Sequence, residues 1–256
     1  MLMTHEFGAE FAGPPILIVH GLYGSARNWR AIAKRLARTR RVVTVDMRNH
    51  GESPRFDSHS YQELANDLAE VIKHFGGIAD VVGHSMGGKS SMALALRAPE
   101  LVRRLMVADI APVAYSHDQT QFIDAMETVD PSQITSRSDA DAALKGLVDD
   151  PGVRAFLLQS LDLKSDPHKW VLNLPVLRAE MPKIIGWPDI NGTFDRPTLF
   201  LAGANSDYIQ RKHRSVIRTL FPQARFAKLA GAGHWLHAEK PNEFMATIDA
   251  FFPAET

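Results

Sequence analysis

The sequence predicts an α/β fold in which a mostly parallel β-sheet carries helices on both faces and is interrupted by an inserted helical cap. Three observations carry this expectation. Short apolar runs of strand length alternate with segments of helical periodicity, the first runs end in glycine-containing turns, and 112–195 shows helical patterns without a convincing strand. Strands that alternate with helices are joined by right-handed crossovers, which cover both faces of a parallel sheet. At 256 residues the chain suits one large domain, with 1–111 and 196–256 as its core and 112–195 as the cap.

Ile16-Leu17-Ile18-Val19 has no polar residue, as suits a buried strand, and Val42-Val43-Thr44-Val45 is a second strand-like run. Between them Trp29, Ile32, Ala33 and Leu36 fall at helical spacing. Ser60-x-x-Glu63 is a capping box that opens a helix with Leu64, Leu68, Val71, Ile72 and Phe75 on one face, and Gly76 stops it. A strand at 79–83 leads into a helix over 88–98 that Pro99 closes, and a fourth strand spans 105–108. The cap then reads as three amphipathic patterns, around Phe122, Ile123 and Met126, around Leu144, Leu147 and Val148, and around Val153, Phe156, Leu157 and Leu161. Strands at 198–201 and 225–229 and a last helix at 242–252, with Phe244, Ile248 and Phe251 along one side, complete the order. Ligands bind at the carboxyl ends of strands in open parallel sheets, so a cap after the fourth strand would roof that site. A structural helical layer without substrate contact is the alternative.

Composition narrows the function classes. The 29 basic and 29 acidic residues cancel, and the Arg38 to Arg41 patch suits a helix end, so nucleic acid is not an expected partner. Absence of cysteine excludes a disulfide framework, a thiolate metal site and a cysteine nucleophile. Residues 1–11 lack the basic start and apolar core of a signal peptide, and no apolar run has the length to cross a bilayer, so a cytoplasmic protein is expected. No feature specifies an oligomeric state.

Gly83-His84-Ser85-Met86-Gly87 carries the chemistry. A serine between two glycines at a strand-to-helix junction has the layout of a nucleophile elbow, a strained turn that lifts the hydroxyl above the sheet edge. The competing reading is a serine N-cap, yet a cap needs no glycine two residues before it. Serine needs a base, and among eleven histidines His234 stands out in Gly231-Ala232-Gly233-His234-Trp235, just after the last strand. His237 is its main competitor. His84 is expected to pack or hydrogen-bond, His20 and His50 to organise loops, and His5, His59, His74, His117, His168 and His213 carry no readable signal. An acid must hold the imidazole. Asp109 follows the fourth strand directly, whereas Asp207 sits one residue past the usual acid position, which is Ser206; Asp109 is preferred and Asp207 stays open. The amides of Leu22, in His20-Gly21-Leu22-Tyr23-Gly24, and of Met86 are the candidate oxyanion donors.

His, Asp and Glu do not gather at metal-ligand spacing, so no metal or other cofactor is expected. Gly83-x-x-x-x-Gly88-Lys89-Ser90 formally matches a phosphate-binding loop, which makes a nucleotide-binding protein the alternative from another class.

Taken with Asp46-x-Arg48-x-His50-Gly51-x-Ser53 and Asp109-Ile110-Ala111-Pro112, these motifs resemble the α/β-hydrolase superfamily over nearly the full length. The Asp109 motif, 170–175 and the final loop are similar to the YbfF-type bacterial esterases. That resemblance implies Ser85, Asp109 and His234 as a catalytic triad, with Leu22 and Met86 as oxyanion donors. It implies cofactor-free hydrolysis of a small-molecule acyl ester or thioester such as an acyl-CoA. In that subgroup the acid follows the earlier strand, in keeping with Asp109. Carbon–carbon hydrolase, lyase or haloperoxidase chemistry would also keep serine, and a non-catalytic ligand receptor on the same fold is the alternative without chemistry. Phe122, Met126, Phe156, Leu157 and Trp170 sketch an apolar acyl pocket, although their helical spacing equally suits core.

Overall fold

Runs of β-branched and leucine residues need burial on two sides, and the computed structural model, which describes residues 1–253, provides it. The chain begins with β1 (Thr4–Phe7), β2 (Ile16–Val19), α1 (Arg30–Leu36), β3 (Val42–Val45), α2 (Tyr61–His74), β4 (Ala79–His84), α3 (Met86–Arg97) and β5 (Val102–Ala108). An inserted segment follows: α4 (Thr120–Thr128), α5 (Arg137–Leu144), α6 (Pro151–Leu157), the hairpin strands β6 (Leu161–Asp162) and β7 (Lys169–Trp170), α7 (Leu174–Ala179) and α8 (Met181–Ile185). The chain returns through β8 (Thr198–Gly203), α9 (Arg214–Leu220), β9 (Ala224–Leu229), α10 (Leu236–Glu239) and α11 (Pro241–Phe251).

Seven strands form one sheet in the order β1-β3-β2-β4-β5-β8-β9, with only β1 antiparallel to its neighbour. All six anticipated strands are in it. Edge strand β1 has no apolar run to announce it, because Thr-His-Glu-Phe is largely exposed and pairs only with β3. The two-residue strands of the β6–β7 hairpin are too short to show a period.

Alternate residues of each strand feed opposite layers. Leu17 and Val19 of β2 pack with α2, α3 and the insert, whereas Ile16 and Ile18 pack with Trp29, α1 and α11. Helix α2 starts at the anticipated capping box, with Ser60 N donating to Glu63 Oε2 at 2.9 Å. Helix α3 is buried from Met86 to Leu96, so it approaches the sheet closely. A Cβ at Gly83 would stand 2.5 Å from Gly87 O, and one at Gly87 2.4 Å from His20 O. Both elbow glycines are therefore demanded by backbone proximity. No described helix is long and apolar enough to cross a membrane.

Candidate active site

The strand order reverses between β2 and β4, since β3 lies to one side of β2 and β4 to the other. Such a switch point opens a crevice at the carboxyl ends of the strands. Four non-glycine residues with positive φ stand in the turns after successive strands: Tyr23 after β2, Asn49 after β3, Ser85 after β4 and Asp109 after β5. Strain of this kind costs on the order of 1–3 kcal/mol per residue and persists where the surroundings over-determine it. Here the strand register does so. His84 pairs with Ala108 and Ala108 with Leu201, so Ser85 and Asp109 leave adjacent strands side by side, their amides donating to Ala108 O at 3.0 Å and Leu201 O at 2.9 Å.

The turn at Ser85 (φ 53°, ψ −121°) puts its Oγ 3.1 Å from His234 Nε2, and His234 Nδ1 lies 2.8 Å from Asp109 Oδ2. With the proton on Nδ1 donated to the carboxylate, Nε2 is left to accept from the serine hydroxyl. Asp109 has no exposed surface; it also accepts from Gly203 N at 3.0 Å on Oδ1 and from the Ser206 hydroxyl on Oδ2. Asp207 is exposed, and its carbonyl accepts from the Gln210 side chain. The position that would usually carry the acid thus holds a serine that supports an acid from the neighbouring strand. That partnership escaped the sequence reading, although the one-residue offset of Asp207 was its trace.

His234 is held from three sides. His84 Nε2–H donates to its carbonyl at 2.9 Å, Tyr208 stacks on its ring at 4.0 Å, and Asp109 holds Nδ1. His237, the competing base, instead stacks on Trp29 at 4.1 Å, and burial pulls its pKa down to about 3. His20 and His50 organise loops as anticipated. His20 Nε2 accepts from Met47 N at 2.9 Å and His50 Nε2 accepts from Tyr23 N at 3.2 Å, so they brace the turn that carries Leu22. Burial lowers them to about 4 and about 3, respectively, and both are neutral at physiological pH. His59, which carried no sequence signal, is only 1% exposed and sets Nε2 3.3 Å from the Met86 sulfur.

Leu22 and Met86 border the same cavity as Ser85, a space of about 310 Å³ between the sheet edge and the insert. Phe122, Phe156 and Leu157 line it as sketched, whereas Met126 and Trp170 are buried away from it in the core. Tyr115, His117 and Lys89 also line it, and none had been singled out as lining from the sequence. Lys89 Nζ donates to Ile185 O at 2.9 Å and to Gly186 O, and the Ser90 hydroxyl donates to Met86 O at 2.9 Å. The two side chains of the phosphate-loop pattern are thus engaged by backbone carbonyls. Burial lowers the Lys89 ammonium to about 7. Among the described residues no group of three or more His, Asp or Glu side chains is arranged as metal ligands.

Residues 14–241 match the family model described as the alpha/beta hydrolase fold. The chain is 42% identical over 247 residues to the sn-1-specific diacylglycerol lipase ABHD11 of Mus musculus, covering 93% of this chain and 80% of that protein. It is 40% identical over 238 residues to the esterase YbfF of Escherichia coli strain K12, covering 91% of each. Among solved structures, a marine microorganism esterase superposes with a TM-score of 0.93 at 36% identity, over 98% of this chain and 99% of that one.

Proposed function

Because the chain belongs to the α/β-hydrolase family and is a serine ester hydrolase, we propose that Ser85, His234 and Asp109 are its nucleophile, base and acid, and that the Leu22 and Met86 amides form its oxyanion hole. The observation that carries this reading is the unbroken hydrogen-bond chain from Ser85 Oγ through His234 to Asp109, at 3.1 Å and 2.8 Å. Ser85 Oγ attacks the acyl carbonyl carbon and its proton passes to His234 Nε2, while buried Asp109 stabilises the imidazolium. The two amides hold the oxyanion as the tetrahedral intermediate forms. The imidazolium then returns the proton to the departing alcohol or thiol, leaving an acyl-enzyme. A water deprotonated by His234 attacks that acyl group, the carboxylic acid leaves, and Ser85 recovers its proton.

The substrate we infer is an acyl ester with an apolar acyl chain, because Tyr23, Phe122, Phe156, Ile184 and Trp235 dominate the cavity wall. An acyl thioester suits the same machinery, since the leaving group needs only the proton from His234. Residues 112–195 act as the cap that encloses the substrate, supplying Phe122, Phe156 and Ile184 to that wall.

Reaction with a fluorophosphonate probe, read by mass spectrometry, should place one adduct on Ser85. Ser85→Ala should lose the adduct and about 10⁶-fold in kcat toward p-nitrophenyl butyrate. Wild-type turnover by Ser85→Ala would sink the assignment.

A further inference from the structure

Lys89 carries a buried amino group that the hydrolytic cycle does not use. It stands one turn beyond the nucleophile on α3, its amide donating to Ser85 O at 3.0 Å, and only 1% of it is exposed. Its Nζ meets two carbonyls at the carboxyl end of α8, Ile185 O and Gly186 O, between the rings of Tyr115 at 4.8 Å and Tyr61 at 5.7 Å. The Tyr61 hydroxyl donates to the preceding carbonyl, Ile184 O, at 2.6 Å. Three consecutive carbonyls, two in α8 and that of Gly186 just after it, are thus met by two side chains from the core, and the Tyr115 amide also donates to Ile185 O at 3.0 Å. A methionine would fill the same volume without the cost of taking an ammonium out of water, so the packing alone does not call for lysine. What the lysine adds is an Nζ that donates to two carbonyls and so ties the helix that carries the nucleophile to the helix that carries Ile184 and Ile185 into the cavity.

Resting on the hydrolase reading above, we propose that Lys89, assisted by Tyr61, clamps the carboxyl end of α8 and so sets the acyl-chain length that the cavity accepts. Helix α3 starts at the oxyanion donor Met86, so the wall running one turn along it from Ser85 lies beside the acyl group once the carbonyl carbon is bonded to Oγ. The leaving group, by contrast, departs on the proton from His234. Ile110, Tyr115, Ile184 and Ile185 line that stretch with the two clamp residues. Release of the clamp frees the α8 end to withdraw and lengthens the acyl site.

The test compares wild type, Lys89→Met and Tyr61→Phe on p-nitrophenyl acetate, butyrate, octanoate and laurate, with kcat and KM separated. Both variants should move the preferred chain toward longer esters, with KM for acetate and butyrate rising about tenfold in Lys89→Met, less in Tyr61→Phe, and falling for laurate. An unchanged length preference in both variants overturns the proposal, and so does a loss of the same factor on every ester. Should Lys89→Met fail to fold, Tyr61→Phe decides alone, because it removes only a hydroxyl. Fluorophosphonate labelling of Ser85 in wild type separates the two readings: without it the hydrolase assignment fails, whereas normal labelling with an unmoved length profile defeats only the clamp.

Discussion

Replacing Asp109 by asparagine tests the wiring of the site most sharply. The carboxylate accepts three hydrogen bonds, from Gly203 N on Oδ1 and from Ser206 Oγ and His234 Nδ1 on Oδ2, with no exposure to water. If the amide oxygen of asparagine keeps the Gly203 bond, its NH₂ faces His234, and the imidazole must move its proton to Nε2 to accept from it. Nε2 then presents an N–H to Ser85 and takes no proton from it. If the amide flips, two buried N–H donors face each other at Gly203, with the desolvation cost of an unmade bond. Either way the base is lost while the shape is kept, and a wrong tautomer of this kind costs about 10⁴-fold in kcat. At 1.36 kcal/mol per factor of ten, that is about 5.4 kcal/mol of transition-state stabilisation. Single-turnover hydrolysis of p-nitrophenyl butyrate, with circular dichroism to confirm folding, measures it. Exposed Asp207→Asn should stay within about twofold of wild type, while Ser206→Ala, losing one of the three bonds, should fall about tenfold. An Asp109→Asn enzyme within tenfold of wild type, or an Asp207→Asn enzyme equally impaired, would refute the reasoning.

Two further outcomes follow from packing and burial. Gly87→Ala would set a Cβ 2.4 Å from His20 O and 2.5 Å from Val19 O, backbone atoms that cannot yield without opening the β2–α3 contact. It should cost about 3 kcal/mol, or roughly 6–12 °C in Tm, and an unchanged Tm would contradict the close approach. Stability should also fall in mild acid. His20, His50 and His237 are held neutral by burial, with pKa values of about 4, about 3 and about 3. The unfolded chain takes up these protons near pH 6.5, so their contribution is intact above that pH and is lost as the pH falls through it. Each of these histidines, protonated only on unfolding, removes on the order of 1 kcal/mol per pH unit below about pH 6.5. Urea titrations at pH 7.5, 6 and 5 check this, and equal stability at all three would show that the imidazoles are not buried in neutral form.

Much of this molecule was legible in its amino-acid order. The strand-forming runs at 16–19 and 42–45, the capping box at Ser60 and the Gly83–Gly87 spacing around Ser85 report constraints that act within a few residues, as do the glycines before His234. The succession of strands and helices along the chain, the elbow and the candidate nucleophile and base could be read from such local signals. The tertiary structure alone decided which partners meet. Ser206 lies 97 positions from the carboxylate it supports and His234 lies 125 from it, and their meeting depends on the register of β4, β5 and β8. Helical spacing could not separate Phe122 and Phe156, which face the cavity, from Met126, which faces the core, because all three lie on the apolar sides of helices whose other sides are exposed at Asp124, Glu127 and Ala155. Nor could it tell that the lysine of a phosphate-loop pattern turns to the carbonyls of α8 or that His59 is buried against Met86. Periodicity reports that a side chain is enclosed, and only the packing of distant segments determines what encloses it.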